Sequence, residues 1–184
     1  MIIHTALYTE AKPIINLFGL KPNNSRFFKV FSNKDKVLIV SGIGKIDAAL
    51  AISYIFSLYP KETFLISVGV AAAKDDFKIG QLVNIKKIID LDEQKVYHLK
   101  SLSTLKNCTL GTSSTPQTKI VCELGDMEGS AVYKATKKYK KDLLLLKVVS
   151  DNFEPKKVKD SNIEKLILKN INQIKTTIYN YSIR

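Results

Sequence analysis

Outside the middle of the chain, the distribution of apolar and polar residues predicts five strands. Largely apolar runs of strand length stand at residues 1–8, 63–73 and 143–151. Such runs are typical of strands that are buried on both faces of a sheet. Two further apolar runs, at residues 26–33 and 36–42, flank a polar Asn-Lys-Asp-Lys turn and predict a neighbouring pair of strands.

Apolar residues at helical spacing predict four helices between and after these strands. The clearest covers residues 44–60, where apolar residues recur every three or four positions and Pro60 ends the run. The others cover residues 9–18, 127–139 and 162–181, and the last of these has one mostly apolar stripe. Strands and helices that alternate in this way predict an α/β sandwich built on one mixed sheet.

The middle of the chain is less regular. Residues 79–92 predict a strand or one arm of a hairpin, and Thr109–Thr112 predicts a short strand that runs into a loop. Residues 151–161 are polar and predict a linker before the last helix. A length of 184 residues suits a single domain with one large core, spanning residues 1–184.

The net charge of +12 raises the question of a polyanionic partner. Almost all of the positive charge is lysine, since Arg26 and Arg184 are the only arginines. Proteins that read bases or phosphates favour the planar arginine fork. The lysines are also dispersed, apart from a cluster at residues 137–141 near the end of a predicted helix, where cations suit the helix dipole. A solvated lysine-rich surface is therefore favoured, and a nucleic-acid-binding domain ranks last among the alternatives.

Other features of the composition predict a cytoplasmic protein. The apolar runs are too short for a transmembrane helix. The N-terminal segment carries an early acid and lacks the basic stretch of a signal peptide. Cys108 and Cys122 lack the spacing of a metal site and are expected to be free thiols. No metal, organic cofactor or membrane partner is expected.

Three acidic residues stand at the predicted ends of elements. Glu10 follows the first strand, Glu128 begins a helix and Asp151 ends the last strand. Each has a simple alternative role, as a helix-dipole partner or a turn-forming residue. The glycine-rich turn SGIGK at residues 41–45 resembles a phosphate loop but lacks the GxxxxGKS/T spacing. Because sites in open α/β sheets gather beyond the carboxyl ends of strands, the three acids together indicate one pocket with a base and an acid.

Six motifs, in order along residues 6–152, resemble the nucleoside phosphorylase superfamily: ALYTEAKPI, VLIVSGIGKIDAALA, ISVGVAAA, IGQLV, DMEGSAV and VVSDN. Within it they are most similar to the 5′-methylthioadenosine/S-adenosylhomocysteine nucleosidases. The resemblance implies a three-layer α/β/α sandwich around a mixed, twisted central sheet, shortened after IGQLV. It also implies hydrolysis of the N-glycosidic bond of a purine nucleoside, with release of the free base. A homodimer paired through the face that carries the SGIGK helix is implied as well.

The resemblance assigns roles to single residues. Asp151 and Glu10 would be catalytic, Asp151 by helping to protonate the purine N7 and Glu10 by helping to activate water. Glu128 would hold the ribose hydroxyls, Met127 would pack on the sugar and Ser150 would orient Asp151. The other substrate-binding residues that it implies are Val70, Ala71, Gln117 and Thr118.

The sequence departs from the family pattern at three places. Val70 stands where the family has a serine, and Lys147 where it has an arginine. Residues 112–118, TSSTPQT, stand where the family has a purine-binding loop with a stacking aromatic. These departures leave open a nucleoside-binding protein that has lost catalysis. A second alternative is a phosphorolytic purine nucleoside phosphorylase, although the scarcity of arginine favours water over phosphate.

Overall fold

The computed structural model of the chain describes residues 1–100, 104–155 and 158–182. These residues form ten strands and five helices. The strands are β1 (Ile2–Thr5), β2 (Lys21–Pro22), β3 (Lys29–Ser32), β4 (Val37–Val40), β5 (Phe64–Ala73), β6 (Leu82–Asp90), β7 (Lys95–His98), β8 (Asn107–Thr112), β9 (Leu124–Asp126) and β10 (Asp142–Asp151). The helices are α1 (Tyr8–Phe18), α2 (Lys45–Leu58), α3 (Gly129–Lys138), α4 (Asp160–Lys169) and α5 (Ile171–Ser182).

The ten strands form one mixed sheet in which β5 is central. On one side β5 runs parallel to β10, from the pair Phe64 and Asp142 to the pair Ala71 and Val149. On its other side β5 pairs with β1 in its first half and with β9 at its end. Since β10 also pairs with β6, β6 with β8 and β8 with β9, these five strands close on themselves. We call β5, β10, β6, β8 and β9 the strand ring; β1, β4, β3 and β2 extend the sheet away from it.

Helices cover both faces of the sheet and complete the three layers that the family resemblance implies. α2 and α3 pack on one face, and α1, α4 and α5 pack on the other. Successive strand residues alternate between the two cores, so that Leu65 and Leu145 belong to one and Ile66 and Leu144 to the other. Burying each such side chain contributes about 1.5–3 kcal/mol. This two-sided burial explains the almost continuous apolar runs, and the predicted fold class is confirmed.

The irregular middle of the chain forms a hairpin and two of the ring strands. β6 pairs with β7 in antiparallel register, from Lys87 opposite His98 to Asp90 opposite Lys95, which confirms the hairpin interpretation. The predicted strand at Thr109–Thr112 is part of β8. The short strands β2 and β9 were not predicted, because two or three residues carry no detectable periodicity.

The prediction of one continuous helix over residues 162–181 was wrong. α4 ends at Lys169 and α5 begins at Ile171, with Asn170 between them. The Asn170 side chain donates hydrogen bonds from Nδ2 to the carbonyl oxygens of Gly80 and Leu166, both at 2.9 Å. An asparagine amide that bonds to the backbone competes with helix continuation. The predicted linker at 151–161 lies partly outside the described residues, and α4 begins within it at Asp160.

Three general properties bear on function. No helix in the described ranges is both long and apolar enough to cross a bilayer. Both cysteines are free, as predicted. Across residues 1–100, 104–155 and 158–182, no group of three histidine, cysteine or acidic side chains is arranged to hold a metal ion.

Candidate functional site

A cavity of about 280 Å³ opens at the carboxyl ends of β5 and β10. This is the edge of the sheet where the sequence places the candidate site. The predicted site residues that line the cavity are Glu10, Val70, Ala71, Gln117, Met127, Glu128, Ser150 and Asp151. Thr118 does not line it, because its neighbour Gln117 turns inward and leaves Thr118 exposed. The structure thus brings together residues that lie as far apart in the chain as Glu10 and Asp151.

Glu10 lies in the first turn of α1 and is only 2% exposed. Its Oε2 accepts hydrogen bonds from the N–H groups of Ala6 and Leu7, at 3.0 and 2.9 Å, and its Oε1 accepts one from Val70 at 2.9 Å. Burial raises the pKa of Glu10, while Lys147 and these backbone donors act against the rise. A carboxylate has about four acceptor positions, so Glu10 retains capacity to accept a hydrogen bond from water.

A glycine in β5 allows Glu10 to approach the sheet. A Cβ atom at Gly69 would lie 3.1 Å from Glu10 Oε1 and 3.3 Å from Lys147 Nζ. Both contacts are tighter than ordinary van der Waals packing. The small residues in this part of β5 therefore make room for a buried carboxylate and a buried ammonium group beside the strand.

Glu128 is the N-cap residue of α3 and is 7% exposed. Its Oε1 accepts a hydrogen bond of 2.7 Å from the N–H of Gly44, which has a φ of 103° that favours glycine. Its Oε2 accepts no hydrogen bond from the described residues. The SGIGK turn thus presents a backbone donor to a carboxylate rather than to a phosphate. Lys45, the last residue of that turn, is paired instead with Asp90 and Asp92.

Lys147 and Asp126 form a buried ion pair at the cavity, with Asp126 in its lining, and no local sequence pattern predicts this pair. Lys147 Nζ lies 2.9 Å from Asp126 Oδ2. Asp126 also accepts hydrogen bonds from Thr112 Oγ1 at 2.7 Å and from the Gly129 N–H at 2.9 Å. Burial acts to lower the pKa of Lys147, but the neighbouring carboxylates of Asp126, Glu128 and Glu10 outweigh it and hold that pKa above its usual value. One ammonium group therefore serves three carboxyl groups.

Lys147, Asp126, Glu128 and Glu10 form an acidic cluster with one ammonium group for three carboxyl groups, and this shortage of positive charge raises the pKa of Glu128. Burial raises the pKa of Glu128 to about 7, the charges of Asp126 and Glu10 add to the rise, and Lys147 and the Gly44 N–H oppose it. With all three carboxyl groups ionised, the cluster would carry two more negative charges than positive ones. A site of this kind favours positive charge that develops on a bound molecule.

His4 is buried in the core beside the cluster. Its Nδ1 and Nε2 lie 2.9 Å from Ser67 Oγ and Ser41 Oγ respectively. Burial lowers the pKa of His4 to about 3, and the Lys147 ammonium adds to the effect. The neutral imidazole therefore links β1 to β5 and to the end of β4, a structural role.

Asp151 stands at the end of β10, where a β-bulge between Val149 and Asp151 interrupts the register with β5. Bulges commonly redirect side chains next to functional sites. Ser150 Oγ donates a 2.6 Å hydrogen bond to Asp151 Oδ1, and the N–H of Glu154 donates one of 2.8 Å to Oδ2. Asn152 Nδ2 fastens the segment to the Ala73 carbonyl oxygen at 3.2 Å. The Asp151 carboxyl group is held in a defined orientation at the cavity.

The raised pKa of Glu128 predicts a specific pH dependence of stability. The pKa of Glu128 in the folded state lies above the ordinary value of 4.5, so the folded protein holds the proton of this group more tightly than the unfolded chain does. The resulting stabilisation is complete below pH 4.5 and is lost as the pH rises toward 7. His4 acts oppositely, because its lowered pKa favours the folded state above about pH 6.5 and disfavours it on acidification. We expect Glu128→Gln to remove the first effect only, so that the free energy of unfolding of the variant rises more steeply between about pH 5 and pH 7 than that of the wild type. Urea unfolding of both proteins at several pH values in this range measures the free energy of unfolding. The same pH dependence in the variant and the wild type would contradict the prediction.

Comparisons with known proteins identify solved structures that share this fold. Protein-family models and curated protein sequences give no match. Solved structures do match: a Helicobacter pylori MTAN mutant with 5′-methylthioadenosine in the active site has a TM-score of 0.82, at 17% identity over 96% of both chains. A futalosine hydrolase mutant of Helicobacter pylori strain 26695 has a TM-score of 0.81, at 18% identity over 96% of this chain and 97% of that one. The Arabidopsis thaliana 5′-methylthioadenosine nucleosidase has a TM-score of 0.74, at 19% identity over 94% of each.

The chain has the nucleosidase fold. The likeness extends over nearly the whole of each matched chain, as the motifs at residues 6–152 lead one to expect. The fold also gives Lys147 a structural partner that the sequence does not reveal. The sequence presents it only as a lysine in place of an arginine, whereas in the fold it is the buried partner of Asp126. A lysine inside an apolar strand run is a detectable signal that a buried acid must lie nearby, but it does not name that acid.

Proposed function

We propose that the protein hydrolyses the N-glycosidic bond of a purine nucleoside of the methylthioadenosine or S-adenosylhomocysteine kind, releasing the free base. The observation that carries this proposal is the convergence of Glu10, Glu128 and Asp151 on one cavity from three separate elements. The matched structures support it, since one holds 5′-methylthioadenosine in its active site and another is a futalosine hydrolase. The apolar part of the wall, which includes Pro155 and Val158, suits the uncharged 5′-methylthio group of methylthioadenosine.

Each carboxyl group has a distinct task in the proposed reaction. Asp151, oriented by Ser150, gives a proton to N7 of the purine. The C1′–N9 bond then breaks with its electron pair on the base, and the sugar acquires oxocarbenium character. A water molecule adds to C1′ and passes a proton to Glu10. The negative charge of the cluster stabilises the cationic sugar in the transition state.

The sugar lies, in this proposal, between Glu128 and β5. Glu128 Oε2 accepts hydrogen bonds from the ribose hydroxyls, and Met127, which also lines the cavity, packs on the sugar. Val70 and Ala71 of β5 also line the cavity. Val70 carries no hydroxyl group, but its backbone N–H is the donor that holds Glu10 Oε1. The water is therefore positioned by Glu10 and not by the side chain at position 70.

Water is favoured over phosphate as the nucleophile by the charges around the cavity. Among the described residues that line it there is no lysine or arginine. Lys147 is paired with Asp126, Lys45 with Asp90 and Asp92, and Arg26 is exposed and does not line the cavity. A phosphate dianion beside Glu10 and Asp151 would meet repulsion without a compensating cation.

A homodimer and a cytoplasmic location complete the proposal. Apolar side chains of the SGIGK turn and of α2, the helix that follows it, are exposed: Ile43 by 55%, Ile46 by 76% and Leu50 by 57%. Ile43 also lines the cavity, so a second copy on this face would cover exposed apolar surface next to the cavity mouth. Sedimentation velocity of the purified protein measures this association. The free thiols of Cys108 and Cys122 suit a reducing compartment, which cell fractionation tests.

The proposed reaction is tested with methylthioadenosine, S-adenosylhomocysteine, futalosine and inosine, each with and without inorganic phosphate. We expect free base to appear without phosphate for at least one nucleoside, with no rate increase when phosphate is added. Strict dependence on phosphate would instead identify a phosphorylase. Binding without turnover, unchanged in Asp151→Asn, would identify a nucleoside-binding protein without catalysis.

A further inference from the structure

An irregular loop, residues 113–123, carries Pro116 and Gln117 to the cavity between β8 and β9. Asp92 anchors the start of this loop. Its Oδ2 accepts hydrogen bonds from the Ser114 N–H at 2.8 Å and from Ser114 Oγ at 2.6 Å, and it lies 2.7 Å from Lys45 Nζ. The loop is thus held in place close to the turn that positions Glu128.

The side-chain amide of Gln117 has a fixed orientation. Its Nε2 donates to the carbonyl oxygens of Gly111 at 2.8 Å and Asp126 at 3.2 Å, which uses both N–H donors of the group. The reversed amide would place its oxygen against the same two oxygens. What Gln117 can still offer is therefore an acceptor only.

That acceptor is unused within the protein. Gln117 Oε1 is buried and has no hydrogen-bond partner among the described residues. A buried acceptor without a partner costs on the order of 1–3 kcal/mol. The fold also reserves space for the amide, because a Cβ atom at Gly125 would lie 3.0 Å from both Nε2 and Oε1 of Gln117 and 2.7 Å from Phe153 Cε1.

We propose that Gln117 is a specificity-determining residue that selects 6-aminopurines over 6-oxopurines. The inference rests on the proposed function, which places the purine N7 at Asp151. The substituent at C6 adjoins N7, and Gln117 lines the same cavity as Asp151. A 6-amino group donates hydrogen bonds and satisfies Oε1, whereas a 6-oxo group would set two acceptor oxygens against each other.

Gln117 Oε1 is shielded from water. A bound purine must therefore displace the Pro116–Gln117 part of the cavity wall slightly before its 6-amino group can reach this oxygen. Residues 113–123 contain no helix or strand, so a small displacement of Pro116 and Gln117 breaks no regular structure. The anchor at Ser114 lies before the moving segment and keeps the loop attached. A ligand that supplies the missing donor recovers the free energy of the unsatisfied acceptor.

The test compares 5′-methylthioadenosine with its 6-oxo analogue 5′-methylthioinosine. We expect the wild type to favour the 6-amino compound in kcat/KM, and Gln117→Leu and Gln117→Met to reduce that preference about tenfold, since tenfold corresponds to the worth of one such hydrogen bond. Thr118→Ala, on the same loop but outside the cavity, is the matched control and should keep the wild-type ratio. An unchanged ratio in both Gln117 variants, or a wild-type preference for the 6-oxo compound, overturns the inference.

Calorimetric binding of adenine and hypoxanthine to the wild type separates this inference from the proposed reaction. If neither nucleoside is cleaved, the hydrolytic function fails while the preference for adenine still tests Gln117. Tighter binding of adenine, weakened in the Gln117 variants, supports the inference. Equal binding of the two bases, or binding of neither, overturns it.

Discussion

Asp151→Asn is expected to lower kcat for base release by roughly 10²–10⁴-fold, the usual contribution of a positioned general acid. The substitution keeps the size of the side chain and an oxygen that can accept the hydrogen bond from Ser150 or from the Glu154 N–H. It removes the carboxyl group that passes a proton to the leaving purine in the proposed reaction. Nucleoside binding should therefore persist while turnover is lost.

The same strand provides a matched control for this substitution. Asp142 begins β10 at the opposite end of the sheet, where its exposed side chain pairs with Lys100. Asp142→Asn should leave kcat unchanged. Steady-state release of free base and calorimetric nucleoside binding, measured for both variants, separate chemistry from binding. An Asp151→Asn variant that releases base within a few-fold of the wild-type rate would exclude Asp151 as the acid of the proposed reaction.

Lys147→Met is expected to lower the free energy of unfolding by about 3–5 kcal/mol, as happens when one partner of a buried ion pair is removed. Methionine fills most of the space of the lysine stem, so the main loss is electrostatic. Asp126, Glu128 and Glu10 would share one buried region without the ammonium group that now opposes their repulsion. The chain would have to unfold, rearrange or protonate these groups.

Two further variants make this prediction specific to the buried charge. Lys147→Met combined with Asp126→Asn should recover part of the lost stability, because the second substitution removes one of the uncompensated carboxylates. Lys100→Met, which breaks an exposed pair with Asp142, should change stability by no more than about 1 kcal/mol. Urea unfolding of the four proteins gives the values. A Lys147→Met variant as stable as Lys100→Met would show that the ion pair contributes nothing.

Much of the fold follows from local patterns in the sequence. The apolar runs around Leu65 and Leu144 are continuous because both faces of those strands are covered. The candidate acids were identifiable because they stand at element ends, and strand ends of this kind meet at one edge of the sheet. Three such residues, Glu10, Glu128 and Asp151, accordingly lie around one cavity.

What the sequence could not supply are the pairings between distant residues. Asp126 and Lys147 meet only because β9 and β10 both pair with β5, and no local pattern encodes that. The break at Asn170 depends on the carbonyl group of Gly80, which comes from a distant turn. Gln117 and Thr118 differ in orientation for a similar reason, since Gln117 is drawn inward by carbonyl groups of β8 and β9.

The strand ring has a consequence for how this protein is made. The ring closes through the pairing of β5 with β10, which lie far apart in the chain. Contacts between such distant segments slow folding. A nascent chain that has not yet delivered β10 already contains Glu10 and Glu128, but it lacks both the ammonium group that compensates them and the acid at Asp151. The acidic cluster can therefore acquire its ammonium group only after synthesis has passed the last strand, and a product truncated before β10 lacks both Lys147 and Asp151.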